Sequence, residues 1–292
     1  MSRPPSYGTS AIRNRLDARS LELLDQACFA VAAVEHPISV RGIFYRVLTH
    51  PINVEHGLIQ KTEQDNRKVQ RSVLKLRRSG AMPYAWISDG TRWTISPDVY
   101  DGVDQALADL SASYRRNAWR SQAWRVEVWT EKDAMAGILS PVTDRWQVGL
   151  YVTWGFSSET FLYAAAQEAI AIGKPTLLLN VGDHDASGLR AWQDIQRKLS
   201  TFAPGIDWSF QRLAVTPEQV HDLNLPERPQ KATTHARDWE GGAVECDAVP
   251  TPYLRSALEA AITSVIDEAQ LQAERYAEAS ERLWLERLEA SR

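Results

Sequence analysis

From Trp124 onward the apolar residues change period, and that change restricts the folds open to the chain more than any other feature. Residues 124–129 alternate as a strand does, and 134–146 carry helical spacing interrupted at Pro141. Residues 149–154 read as a second strand, 158–172 as a helix, 176–181 as a continuously apolar third strand and 188–199 as a further helix. Strands separated by helices of this length close as right-handed βαβ units, so this part of the chain is expected to be α/β, with a mostly parallel sheet. Weaker strand patterns fall at 209–215 and 243–247, and 253–288 reads as a charged amphipathic helix or helix pair.

The first half is patterned differently. Apolar residues at helical spacing mark 16–34, a short second helix covers 42–48, and a third runs over 65–79 with Arg67, Lys68, Arg71, Lys75 and Arg78 among Val69, Val73 and Leu76. Residues 82–93 then read as a hairpin. Three helices followed by a hairpin is the order of a winged helix, in which the third helix is presented to DNA. A basic helix is also the ordinary mark of a solvated face. The expected organisation is a winged-helix (CAP-like) domain over 1–97, a connecting helix over 98–123, a parallel-sheet domain over 124–250 and a C-terminal helical segment over 251–292.

Net charge sharpens this division. The whole chain carries 33 Lys+Arg against 37 Asp+Glu, a formal charge of -4. Through Arg125 the count is 18 basic against 12 acidic, and beyond it 15 against 25. A basic half beside an acidic half suits a protein that grips phosphates with one part and divalent cations with the other. Cys28 and Cys246 fit neither a disulfide framework nor a zinc pattern and read as ordinary buried thiols in a reducing compartment. No segment has the apolar length of a membrane span or the apolar core of a leader, so a soluble, cytoplasmic protein is expected.

In a parallel sheet, functional groups gather where strands end. Glu131 follows the first strand in Trp-Thr-Glu-Lys-Asp, and Asp183 and Asp185 follow the third in Gly-Asp-His-Asp-Ala-Ser-Gly. Hard carboxylate oxygens suit Mg²⁺, which takes a few of them and keeps its other positions for water and phosphate. An Asp-x-Asp pair alone is common in turns and helix caps. A Glu at one strand end, an Asp-x-Asp-x-x-Gly about fifty residues later and βα alternation between them resemble the Toprim domain of topoisomerases, primases and related nucleases.

A Toprim domain behind a winged helix is similar to the A subunit of topoisomerase VI and its relative that makes meiotic double-strand breaks. In that family an Arg-x-x-[Tyr/Phe]-Tyr motif supplies a tyrosine that attacks DNA and becomes linked to a 5′ phosphate. Residues 41–45, Arg-Gly-Ile-Phe-Tyr, match it. The resemblance covers about residues 38–248 and implies that Tyr45 is the nucleophile and Arg41 a phosphate contact, with Glu131 able to protonate the leaving 3′ oxygen. It also implies Mg²⁺, double-stranded DNA as substrate and a homodimer in which the tyrosine of one chain meets the metal of the other. A separate ATPase subunit would be needed for strand passage, since no ATP-binding Gly-rich loop is evident. Gly42 stands where the family often has an acidic residue, and Ala186 where it often has proline. Glu245 and Asp247 resemble a late acidic position of the family, and strand alternation explains them equally well. Without the family match, Tyr45 reads as a core aromatic beside Phe44. The other functions compatible with these residues are a Toprim nuclease that hydrolyses DNA or RNA with water, and a noncatalytic DNA-binding subunit of a larger complex.

Overall fold

The computed structural model describes residues 17–88, 97, 99–153, 157–229, 239 and 241–290. Four strands, β1 (Arg125–Thr130), β2 (Gly149–Val152), β3 (Thr176–Val181) and β4 (Trp208–Ala214), form one all-parallel sheet in the order β2-β1-β3-β4. Helices α6 (Asp133–Trp146), α7 (Glu159–Ile172) and α8 (Ala186–Phe202) connect them in turn. The chain moves from β1 outward to β2, then returns across β1 to reach β3. Keeping all three crossovers right-handed while the direction reverses after β2 and then continues to β4 places α6 on one face of the sheet and α7 with α8 on the other.

The strand residues sort accordingly. Val126, Val128, Leu177, Leu179 and Val181 face a core shared with Met135, Ile138 and Leu139 of α6. Trp129 and Leu178 face a smaller core with Leu162 of α7 and Trp192, Ile195 and Leu199 of α8. β1 and β3 are buried along their whole length, as expected for central strands covered on both sides. Glu127 is buried among the apolar residues of the second face, where Arg125 and the Trp129 indole compensate it, with Arg125 Nη2 and Trp129 Nε1 at 2.8 and 2.7 Å from its carboxylate.

The N-terminal half is helical: α1 (Ala18–Glu35), α2 (Val40–Thr49), α3 (Pro51–His56), α4 (Glu63–Arg78) and α5 (Val103–Ser113). Leu24, Cys28 and Val31 of α1, Ile43 and Val47 of α2, and Val69 and Val73 of α4 join the larger core, which continues through the sheet to Leu254, Leu258 and Ile262 of α10 (Thr251–Thr263). A short α9 (Pro217–Asp222) and a long α11 (Glu268–Ala290) complete the chain. Both cysteines are free and buried. Among the described residues no helix is long and apolar enough to cross a membrane.

Several elements differ from the sequence reading. The hairpin expected at 82–93 is, over its described part, a 3₁₀ turn at Tyr84–Trp86 followed by a lone parallel bridge from Ile87 to Ile38. Residues 89–93 of that expected wing, the chain before Asp17 and Trp154 lie outside the described residues. The helix expected over 98–123 is only α5. Beyond Ser113 the backbone is claimed by tertiary partners: Arg116 N–H donates to Glu278 of α11 at 2.9 Å and Ala118 N–H to Gln147 at 3.0 Å, while the Arg116 guanidinium pairs with Glu274 and Glu281 and Trp119 Nε1 donates to the Trp146 carbonyl at 2.6 Å. The strand expected at 243–247 is two isolated antiparallel bridges, Ala243 to Arg228 and Val244 to His184, running into a 3₁₀ turn at Cys246–Ala248. The C-terminal pattern resolves into a helix pair, α10 and α11.

Candidate active site

The order β2-β1-β3-β4 makes β1 and β3 neighbours whose following helices leave on opposite faces, and a crevice opens at their carboxyl ends. Glu131 lies just past β1 and Asp183 just past β3, so the topology brings together two carboxylates that are about fifty residues apart in sequence. The cleft there has a volume of about 760 Å³ and is bordered by Arg41, Glu131, Lys132, Asp183, Glu245 and Asp247, with Gln70 and Arg77 of α4 on one wall.

The loop after β3 is held rigidly. Arg212 of β4 donates to the Asn180 side chain at 2.8 Å and to the carbonyls of Gly182 and Asp183 at 2.9 and 2.5 Å. Asp183 Oδ1 accepts from the backbone N–H of Cys246 at 2.9 Å. Gly188 is required by close approach, because a Cβ there would lie 2.5 Å from the Asp183 carbonyl oxygen. Asp185 caps α8, with Oδ1 accepting from Gly188 N–H at 2.8 Å, and its Oδ2 lies 3.2 Å from Arg228. Of the expected Asp-x-Asp pair, Asp183 therefore faces the cleft, whereas both oxygens of Asp185 are engaged elsewhere. His184 turns away from the cleft, edge-on to Trp239 at 5.1 Å.

Ion pairs bind the helical half to this loop region. Ser39, the N-cap of α2, donates to Asp247 at 2.5 Å while accepting from Gly42 N–H. Arg41 meets Glu245 through both Nε and Nη2, the latter at 2.7 Å. Lys132 Nζ lies 2.8 Å from Asp183 and 3.0 Å from Asp247. Glu131 is the one of the five carboxylates with no ion pair among the described residues. Burial, reinforced by the nearby Asp183 charge, pushes its pKa up to about 7, in the range where a carboxyl both gives and takes a proton near neutrality.

Tyr45 sits one turn after Arg41 on α2, with the Arg41 guanidinium 5.9 Å and the Lys61 ammonium 5.6 Å from its ring centroid. It is 2 % exposed and does not border the cleft. Burial and the Glu245 charge push its phenol up to about 12, against the pull of Arg41. The basic helix is divided: Lys68 pairs with Asp65 and Lys75 with Asp25, whereas Arg67, Arg71 and Arg78 are exposed without an ion pair among the described residues.

Sequence reasoning did not single out Lys132, Arg77 or Arg228. Lys132 is adjacent to Glu131 and would have followed from it, but nothing in its neighbourhood shows that it turns back into the acidic cluster. Among the described residues no group of three or more His, Cys, Asp or Glu side chains is arranged to hold a metal ion. A pair is present: the Glu131 carboxylate faces the backbone N–H of Asp183, with that residue's own carboxylate nearby. Two carboxylates, one of them strained by a neighbouring negative charge, fit Mg²⁺, which is commonly held by one or two such groups with water and substrate phosphate completing the shell. No family model matches the chain, and no curated protein matches it.

Proposed function

We propose that this cleft cleaves phosphodiester bonds in double-stranded DNA, with Mg²⁺ held by Glu131 and Asp183, as a Toprim protein of the topoisomerase VI A type. The observation that carries the reading is the meeting, at the switch point of a parallel sheet, of an unpaired carboxyl with pKa about 7, a rigidly held aspartate and four cations, Arg41, Arg77, Lys132 and Arg228. Helices α1, α2 and α4 are read as the core of a winged-helix DNA-binding unit. Gln70 and Arg77 face the cleft, and Arg67, Arg71 and Arg78 lie roughly 60–110° further round α4, so exposed positive charge leads from outside to the cleft wall.

When bound, Mg²⁺ would neutralise phosphate oxygens and the developing charge on the leaving oxygen. Arg41 and Arg228, already aimed at Glu245, supply further positive charge at the rim. Without the ion Glu131 is protonated for much of the time near pH 7; that proton is displaced on binding of the ion and is then available to the 3′ oxygen as the P–O3′ bond breaks.

The resemblance assigns attack on phosphorus to the Tyr45 oxygen, the phenol's proton passing to solvent, leaving a 5′-phosphotyrosyl link and a free 3′-hydroxyl. A second reading, hydrolysis by water, is favoured by one observation: Tyr45 is enclosed and its phenol is held protonated. Transesterification requires Tyr45 to become open to the cleft, whereas hydrolysis does not. Supercoiled plasmid incubated with protein and Mg²⁺ is expected to be nicked or linearised, and Glu131→Gln and Asp183→Asn to lose this while keeping DNA binding in EDTA. DNA that enters a denaturing gel only after protease treatment identifies Tyr45 attack; free 5′-phosphate ends identify water. Undiminished cleavage by either carboxylate variant would remove the reading. A homodimer and a separate ATPase chain belong to the same proposal, as the partners that would convert cleavage into strand passage.

A further inference from the structure

Three of the carboxylates around the cleft converge on one side chain. Lys132 Nζ is 2.8 Å from Asp183 Oδ1, 3.0 Å from Asp247 Oδ2 and 4.0 Å from Glu245 Oε2. Its side chain is 27 % exposed and borders the cleft, so the ammonium lies between the open space and the buried acids behind it. Glu245 has Arg41 and Arg228 as partners, and Asp185 has Arg228. Asp247 has only Lys132 as an ion-pair partner among the described residues, with the Ser39 hydroxyl on its other oxygen. An enclosed carboxylate needs a compensating cation, and here a covalently attached one is already in place.

Sites that cleave phosphodiesters with two metal ions hold them about 3.5–4 Å apart on shared carboxylates. Asp183 neighbours both acids, its backbone N–H meeting the Glu131 carboxylate and its own carboxylate sharing the Lys132 ammonium with Asp247, so Lys132 lies where a second ion would sit. We infer that Lys132 is a resident cation standing in the place of a second divalent ion, so that the cleft takes one such ion, at Glu131 and Asp183, and not a pair. This rests on the cleavage reading above for its meaning, although the position of the ammonium does not.

The test counts Mn²⁺ bound per full-length chain at neutral pH by electron paramagnetic resonance. Lys132→Met is expected to bind one ion more than the wild type, and Lys132→Arg, which keeps the charge, the same number as the wild type. A merely structural ion pair would lower stability on removal without adding an ion. Equal counts in Lys132→Met and wild type, or an added ion in Lys132→Arg, would overturn the inference. Should the wild type bind none and Lys132→Met bind one, the resident cation stands and the Mg²⁺ reading of the preceding section falls. If Lys132→Met does not fold in EDTA, millimolar Mn²⁺ is expected to restore its helical circular dichroism, the ion replacing the lost ammonium, and failure of that rescue overturns the inference equally.

Discussion

Glu131 is the residue whose chemistry is most changed by its surroundings. With its pKa raised from the ordinary 4.5 to about 7, the folded chain keeps a proton that the unfolded chain releases between those values. The stability associated with that proton is therefore complete below about pH 4.5 and is lost as pH rises through 7. Glu131→Gln removes the loss. At pH 8 the variant should unfold several degrees above the wild type, about 3 kcal/mol of gain for a shift of this size, and the two should converge by about pH 4. Parallel curves of melting temperature against pH would show that Glu131 titrates normally. Gly188→Ala tests the turn behind Asp183. Its Cβ meets the Asp183 carbonyl oxygen, part of a backbone that Arg212 pins in place, so relief by movement is costly. A loss of about 2 kcal/mol in denaturant unfolding is expected, with weakened Mn²⁺ binding. Stability and metal affinity both at wild-type levels would show that the loop yields easily. The Asp-x-Asp-x-x-Gly spacing made Asp183 and Gly188 legible in the sequence. It did not reveal that Asp185 caps α8 and pairs with Arg228, because a cap and a ligand present the same carboxylate until the helix is placed.

At the scale of elements, α4 illustrates how a pattern is right in kind and redistributed in detail. Its basic residues were legible as a group, but helical geometry divides them among three directions. Lys68 and Lys75 turn toward acids of the helical half, Arg67, Arg71 and Arg78 face solvent, and Arg77 reaches the cleft with its guanidinium 5.3 Å from the Tyr84 ring centroid. Arg77→Ala should therefore weaken DNA binding and reduce the slope of log affinity against log salt by about one, as loss of a single phosphate contact does. Arg71→Ala should act similarly. Lys75→Ala should leave the slope unchanged, since its charge is already committed to Asp25. A reduced slope for Lys75→Ala and none for Arg77→Ala would place the DNA on a different face of the helix. The βα alternation was readable because it depends on local periodicity, and β1 to β4 fall close to where that periodicity places them. The segment from 114 to 124 was not, because contacts with α11 and Trp146 override its helical pattern.

For the molecule as a whole, the principal finding is that Arg41 and the carboxylates meet within one chain, with Tyr45 enclosed one helical turn away. Arg41 pairs with Glu245, and Ser39 with Asp247, across some two hundred residues. The family resemblance implies that one chain's tyrosine serves the other chain's metal. If water is the nucleophile, Tyr45→Phe alone should keep cleavage; if Tyr45→Phe is inactive and both groups act within one chain, mixing it with Glu131→Gln chains should restore none even after proven subunit exchange, because every site carries one lesion. Recovery of nicking would show that a dimer rearranges α2 to share the site. The sequence by itself determined the parallel α/β architecture, the two strand ends that bear Glu131 and Asp183, and the basic character of the helical half, all of which follow from residue periodicity and spacing along a few tens of residues. Only the tertiary structure decided that Glu245 and Asp247 leave a strand pattern for a turn at the cleft, that Lys132 fills the acidic cluster and that Tyr45 is enclosed. Those outcomes depend on which charges are buried together once the helical half closes over the sheet, and the balance between desolvation and pairing is set in space, where residues distant in the chain become neighbours.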